Sequence, residues 1–259
     1  MDLTDGASLR QWVRDTAPQI IINAAAYTAV DKAESEPELA MTINGVAPGV
    51  LAEEAKKIGA LLVHFSTDAV FAGKKFAPYL EEDPTQPINS YGRSKLAGDQ
   101  AILQVGGRHL IFRLCWVYGA RGQNFMLTML RLAREREKLR VVRDQVSTPT
   151  WCRLVAESTA RALKRVLGAG DLGAFNGLYH LSAAGAASKH DFAEAIVRLM
   201  PPEGRKCREI EGITTAEFPM PAPRSSHSVL CCDKLERTFG LRLPPWEESL
   251  RHVMEEVLK

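Results

Sequence analysis

The 259-residue sequence has no apolar stretch of the roughly 20 residues that a helix needs to cross a bilayer, and its N-terminus lacks a secretory leader pattern. Neither sign of charge is in excess. Lys and Arg number 33 against 31 Asp and Glu, a net charge of +2, so no global field draws the chain to nucleic acid or to a membrane surface. Aromatic residues make up 7% and are not interleaved with basic ones as base-stacking surfaces require. Five cysteines, with Cys231 and Cys232 adjacent, do not make a disulfide framework, which points to a reducing cytoplasm. The six histidines show no metal-ligand spacing. Also missing is a glycine cluster near the start: before Asn23 there is only the lone Gly6, where a turn that sets a pyrophosphate on a helix N-terminus needs several glycines.

What is present is 46% hydrophobic, enough to bury the core of one large or two small domains, and it alternates strand-like and helix-like segments. The runs Gln19–Asn23, Ala60–Phe65 and His109–Leu114 read as buried strands, with Arg140–Arg143 and Gly177–Ser182 as further ones. Helical periodicity covers Leu9–Thr16, Met41–Lys57 (interrupted near Gly45 and Pro48) and Phe125–Leu139. Further helices are expected after a cap at Asn89 or Ser90, after an N-cap at Thr150 to about Leu167, from Ser188 to Met200, and from about Pro245 onward. The pattern is that of an α/β protein with a parallel sheet covered on both faces.

Tyr91-Gly-Arg-Ser-Lys95 places a phenol and an amine one helical turn apart on one face. A phenol near pH 10 is a poor catalyst at neutral pH, and a neighbouring ammonium favours its ionised form. Thr67, at the end of the apolar run that closes with Ser66-Thr67-Asp68, could share a substrate oxygen with Tyr91. Alone, the Tyr-Lys spacing fits any amphipathic helix equally well; its company makes it specific.

That company is Asn23-Ala-Ala-Ala-Tyr-Thr-Ala-Val-Asp-Lys-Ala-Glu34, His64-Phe-Ser-Thr-Asp68, Asn89-Ser-Tyr-Gly-Arg-Ser-Lys-Leu-Ala-Gly98, Phe112-Arg-Leu-Cys-Trp-Val-Tyr118 and Asp144-Gln-Val-Ser-Thr-Pro-Thr150. In order and spacing, from Asp2 to the C-terminal helix, these resemble the dTDP-4-dehydrorhamnose reductases, a family of extended short-chain dehydrogenases/reductases. The resemblance implies a Rossmann-type doubly wound parallel sheet over about 1–142 that lacks its first βαβ unit. A smaller substrate domain is then expected mainly from 143–259, with some elements packing back. It implies NADPH or NADH as cofactor, a nucleotide-sugar substrate and a possible homodimer; the charge balance points to no nucleic-acid or membrane partner, and ligand spacing argues for no metal.

It also implies roles. Tyr91 donates the proton to the nascent alkoxide. Lys95 holds the nicotinamide ribose and lowers the Tyr91 pKa, and Thr67 bonds the sugar carbonyl beside Asp68. Ala26, Tyr27, Thr28, Phe65 and the Asp2-Leu3 pair lie where the family meets its cofactor. Trp116 and Arg224 lie where it meets the sugar nucleotide. Trp116 reads equally well as core, Arg224 as one half of a surface salt bridge, and Thr67 as a plain strand-end cap. Within a strand, His64 reads as a satisfied core residue. Ala69 stands where the family has Tyr, Ser147 where it has Gly, and Ser225 where it has Pro. The absent first unit makes the chain an incomplete form of a longer reductase or a noncatalytic binding subunit, as in the regulatory subunit of methionine adenosyltransferase; another nucleotide-sugar reductase or epimerase is the within-class alternative.

Overall fold

A computed structural model describes residues 2–259. The strands are β1 (Ile20–Asn23), β2 (Leu61–Thr67), β3 (His109–Leu114), β4 (Val117–Tyr118), β5 (Lys138–Val142), β6 (Val146–Ser147), β7 (Thr150–Trp151), β8 (Gly177–His180), β9 (Ala187–Ser188) and β10 (Glu209–Ile213). The helices are α1 (Gly6–Thr16), α2 (Pro37–Met41), α3 (Ala47–Ile58), α4 (Ser90–Val105), α5 (Phe125–Glu135), α6 (Cys152–Gly168), α7 (Lys189–Leu199), α8 (Asp233–Phe239) and α9 (Trp246–Val257).

The main sheet is parallel throughout, in the order β1-β2-β3-β8. Its strands are apolar because both faces are covered, and successive side chains go to opposite faces. Leu62, Ile21 and Ile111 face Leu9 and Val13 of α1, Leu51 and Ala55 of α3, and Ile102 of α4. Leu61, Val63, Leu110 and Phe112 face Val155 and Ala162 of α6 and Leu235 and Phe239 of α8. β1 edges the sheet, with Ile22 half-exposed. This is the α/β doubly wound arrangement expected. A second core gathers α5, α7, α9 and β5 around Phe192 and Trp246, and β5 pairs with β10.

Several boundaries differ from the sequence expectation. α5 ends at Glu135, because Arg136 turns extended and β5 begins at Lys138, two residues before the expected strand. Thr150 does not cap α6; it is in β7 beside β4, and Trp151 occupies the cap position with no side-chain bond. The expected break near Gly45 is instead a π-helical turn, Thr42–Val46, joining α2 to α3 without interruption. Such turns recur at functional sites, and buried Asn44 lies within this one.

α4 is placed by close main-chain approach. Asn89 caps it, its side chain accepting from Gly92 N at 2.7 Å. A methyl at Gly92 would strike the Ala69 carbonyl, and one at Gly98 the Asn44 carbonyl. These glycines let the helix lie flush on its neighbours.

Candidate active site

Two adjoining cavities open at the carboxyl ends of the parallel strands, where ligands bind in folds of this type. One, of about 530 Å³, runs past Ala24, Ala25, Ala26 and Thr28 after β1, Phe65 in β2, and Lys95. The other, of about 250 Å³, is lined by Asn89, Gln145, Lys189, Arg224 and Ser228. They share Val30, Thr67, Asp68, Tyr91 and Trp116. The hydroxyls of Thr67 and Tyr91 thus stand at the junction, the place where two ligands would meet.

Thr67 both caps and faces the cleft. Its hydroxyl accepts from Ala69 N at 3.1 Å and donates to Asp68 Oδ1 at 3.2 Å. Asp68 is buried, which pushes its carboxyl up, opposed by hydroxyl donors from Ser228 (2.5 Å) and Ser147 (3.0 Å) and by Thr67. Ser147, standing in the place of a family glycine, thereby supplies one of the bonds that keep this carboxylate in the wall.

Lys95 is 2% exposed. Its ammonium donates to the Phe65 carbonyl at 2.6 Å and lies 3.3 Å from His64 Nε2, leaving its third donor free for the larger cavity. Burial lowers its pKa to about 8, with Asp99 pulling the other way. Asp99, one turn further along α4, pairs with Arg113 at 3.2 Å and accepts from Ser66 Oγ at 2.9 Å.

The phenol does not behave as the sequence suggests. Tyr91 is pushed up to about 12 by burial, reinforced by Asp68 and Asp99 and opposed by the Thr67 hydroxyl. Lys95 is not among the groups that shift it; its ammonium bonds the Phe65 carbonyl and lies beside His64. The resulting phenol is a proton donor held in its neutral form.

The cofactor-side loop is held from behind. Tyr27 is turned out of the cavity: its hydroxyl donates to Glu36 at 2.7 Å, while its main-chain N–H and C=O bond Asn44 at 2.8 and 2.9 Å. Asn44 also donates to Ser94 of α4 at 3.0 Å. The alanines before this anchor, Ala24, Ala25 and Ala26, leave bare main chain along the cavity, the surface a dinucleotide backbone needs. Together with the free Lys95 donor, that fits a nicotinamide cofactor. Asp2 and Leu3 line neither cavity; the Asp2 carboxylate bonds Thr4, and Leu3 packs against the α1 side of the core.

Trp116 is not core. It lines both cavities in a left-handed conformation (φ 37°), with the Lys189 ammonium 3.6 Å from its ring centre. Arg224 pairs with Asp31 at 3.0 Å, as its salt-bridge reading expects, and lines the smaller cavity. Sequence reasoning missed Lys189, Asn44 and Ser228. For Lys189 the only signal was its place just after the Ser188 cap of α7, where a cation is unfavourable to the helix dipole.

The chain matches the family model described as "RmlD substrate binding domain" over residues 1–259. It is 46% identical to a dTDP-4-dehydrorhamnose reductase of Burkholderia thailandensis, covering 99% of this chain and 88% of that one. Among solved structures, a dTDP-4-dehydrorhamnose reductase from Clostridium acetobutylicum superposes with TM-score 0.90 at 36% identity, covering 100% of this chain and 88% of that one. The same enzyme from Bacillus anthracis, in complex with NADP, superposes with TM-score 0.88 at 35% identity over 99% of this chain and 87% of that one.

Proposed function

The chain belongs to the RmlD substrate binding domain family, and from that premise we propose that it reduces the C4 keto group of dTDP-4-dehydro-β-L-rhamnose to give dTDP-L-rhamnose, a precursor of surface polysaccharide. The observation that carries this reading is the convergence of Thr67, Tyr91 and Lys95 where the two cavities join. NADPH or NADH, when bound, supplies the hydride.

The chain's own residues do the rest. The main chain at Ala26 and Thr28 and the free donor of Lys95 hold the cofactor, and Phe65 lines its cavity. Thr67, whose hydroxyl proton rests on Asp68, turns that proton to the sugar carbonyl and orients the carbonyl toward Tyr91. The phenol, neutral because burial keeps its proton on, gives that proton to the oxygen as negative charge develops there. Asp68, Trp116 and Arg224 bound the sugar's side of the cleft. In this reading the segment 1–142 is mainly the cofactor half and 143–259 mainly the sugar half.

No helix of the described residues is long and apolar enough to cross a membrane. The reading places the enzyme in the cytoplasm, as a homodimer with no nucleic-acid partner; sedimentation of the purified chain checks the assembly. The functional test is NADPH or NADH oxidation with dTDP-4-dehydro-β-L-rhamnose. Turnover that disappears in Tyr91→Phe establishes the activity, and a folded chain that binds both ligands without turnover overturns it.

A further inference from the structure

Lys189 begins α7 and projects into the smaller cavity as a cation with no protein acceptor. Its amino group lies 3.6 Å from the ring centre of Trp116 and 4.7 Å from that of Phe125, and among the described residues it makes no hydrogen bond or ion pair. The aromatic faces attract the charge but leave its N–H donors without an oxygen. The other charged groups of that cavity are committed. Arg224 pairs with Asp31 and donates to the Ala222 carbonyl, and Asp68 takes three hydroxyl donors. Trp116 holds its place at positive φ, a strained conformation for a residue other than glycine and one that persists at ligand clamps.

Position says which part of a ligand would arrive there. Thr67 and Tyr91, at the wall common to both cavities, take the keto carbon. Lys189 and Arg224 belong to the wall that the cofactor cavity does not share. A sugar hydroxyl at Lys189 would satisfy a donor and leave the charge uncompensated; a phosphate oxygen would satisfy the donor and compensate the charge. We infer that Lys189 recognises the diphosphate of the nucleotide sugar, with Trp116 and Phe125 as positioning residues that hold its ammonium. This rests on the nucleotide-sugar reading above.

The charge state of Lys189 supports the assignment. Burial lowers it to about 7, Asp68 pulls upward, Arg224 pushes the same way as burial, and Cys115 adds a small upward pull. A bound diphosphate would raise it, so binding should draw in a proton near neutral pH.

The test is calorimetry with thymidine diphosphate on the NADPH-loaded protein, comparing wild type, Lys189→Met and Lys189→Arg. Lys189→Met is expected to weaken thymidine diphosphate by roughly 10- to 100-fold and to raise KM for the keto sugar by a like factor, while kcat falls less than about threefold. Lys189→Arg restores most of the affinity. On the wild type, titrations in buffers of different ionisation enthalpy at about pH 7 should show uptake of about half a proton. Unchanged thymidine diphosphate affinity in Lys189→Met, no proton uptake, or loss confined to kcat overturns the assignment. So does a wild type that binds neither thymidine diphosphate nor inorganic pyrophosphate. Thymidine diphosphate held through Lys189 with no oxidation of NADPH by the keto sugar would instead overturn the reductase reading and leave the diphosphate anchor standing.

Discussion

The Lys95 ammonium and the His64 imidazole meet at 3.3 Å inside the protein, both sealed from solvent. Burial, with Lys95 adding to it, holds the His64 pKa well below its ordinary value, so the ring is neutral. Its Nε2 must then accept from the ammonium, which puts the ring proton on Nδ1; Asn23 Nδ2 stands 3.1 Å from that atom, so this tautomer requires the Asn23 amide turned with its oxygen toward the ring. His64→Leu leaves Lys95 only the Phe65 carbonyl and is expected to weaken NADPH by about 10-fold, with His64→Gln, which can place an oxygen there, retaining more. Nitrogen NMR should show one neutral Nδ1–H imidazole across the neutral pH range.

Removing the proton donor separates chemistry from binding. Tyr91→Phe and Thr67→Val are expected to lower kcat by about 10²- to 10⁴-fold while the NADPH dissociation constant moves less than about threefold. Stopped-flow oxidation of NADPH together with calorimetry reads both. A large loss of cofactor affinity in Tyr91→Phe would contradict the assigned role.

Alkaline stability follows from three raised groups. Tyr91 (about 12), Cys115 (about 12) and Cys232 (about 11) all titrate higher in the folded chain than their ordinary 10, 9 and 9. Above those ordinary values the folded state binds more protons than the unfolded one, so stability falls as pH rises. It should be flat with respect to these groups below about pH 9 and decline from there to about pH 12. The difference in urea midpoint between wild type and Tyr91→Phe isolates the Tyr91 part from the opposite contribution of the lowered Lys95 and Lys189, and that difference should fall from about pH 10 to about pH 12.

Acid stability has a different source. Glu54 is fully covered by Arg10 and Arg14 of α1 and by Lys57, bonded at 3.1, 2.7 and 2.7 Å, and these partners hold its carboxyl well below the usual range. The cover is itself at the surface, so solvent screens the group, and Glu54→Gln is expected to cost about 1 kcal/mol at neutral pH. A depressed carboxylate contributes above its unfolded pKa and loses that contribution as pH falls, so wild type and variant should converge below about pH 4.

The glycines of α4 give a steric prediction. Gly98→Ala drives a methyl into the Asn44 carbonyl and is expected to destabilise by about 3 kcal/mol, a drop in Tm of roughly 6–12 °C. Gly168→Ala, where nothing lies within 4 Å, should leave Tm unchanged or raise it slightly.

Much of this was legible in the chain, and what was not has a common cause. β2, β3 and the Asn89-capped α4 follow from local pattern, because continuous apolar runs and a cap are encoded within a few neighbouring residues. The β5–β10 pair, β7 and α8 were not legible, since two-residue strands and a pairing across some 70 residues depend on tertiary partners. The Tyr91–Lys95 turn could be read from spacing; the upward push on Tyr91 could not, because burial is a property of the whole fold. Asp68 was readable, but its two serine donors come from positions 147 and 228. Lys189 escaped for the same reason, as its aromatic neighbours lie at 116 and 125.

Asn44 grips both ends of the Tyr27 peptide and the Ser94 hydroxyl at once. The cofactor-side loop and the catalytic helix therefore share one fastening and lose their freedom to move independently. The Arg224 segment is tied to the same frame, through its pair with Asp31 and through the Asn89 amide on the Pro223 carbonyl. Stretches of chain far apart in sequence therefore hold the two sides of the cleft in one register.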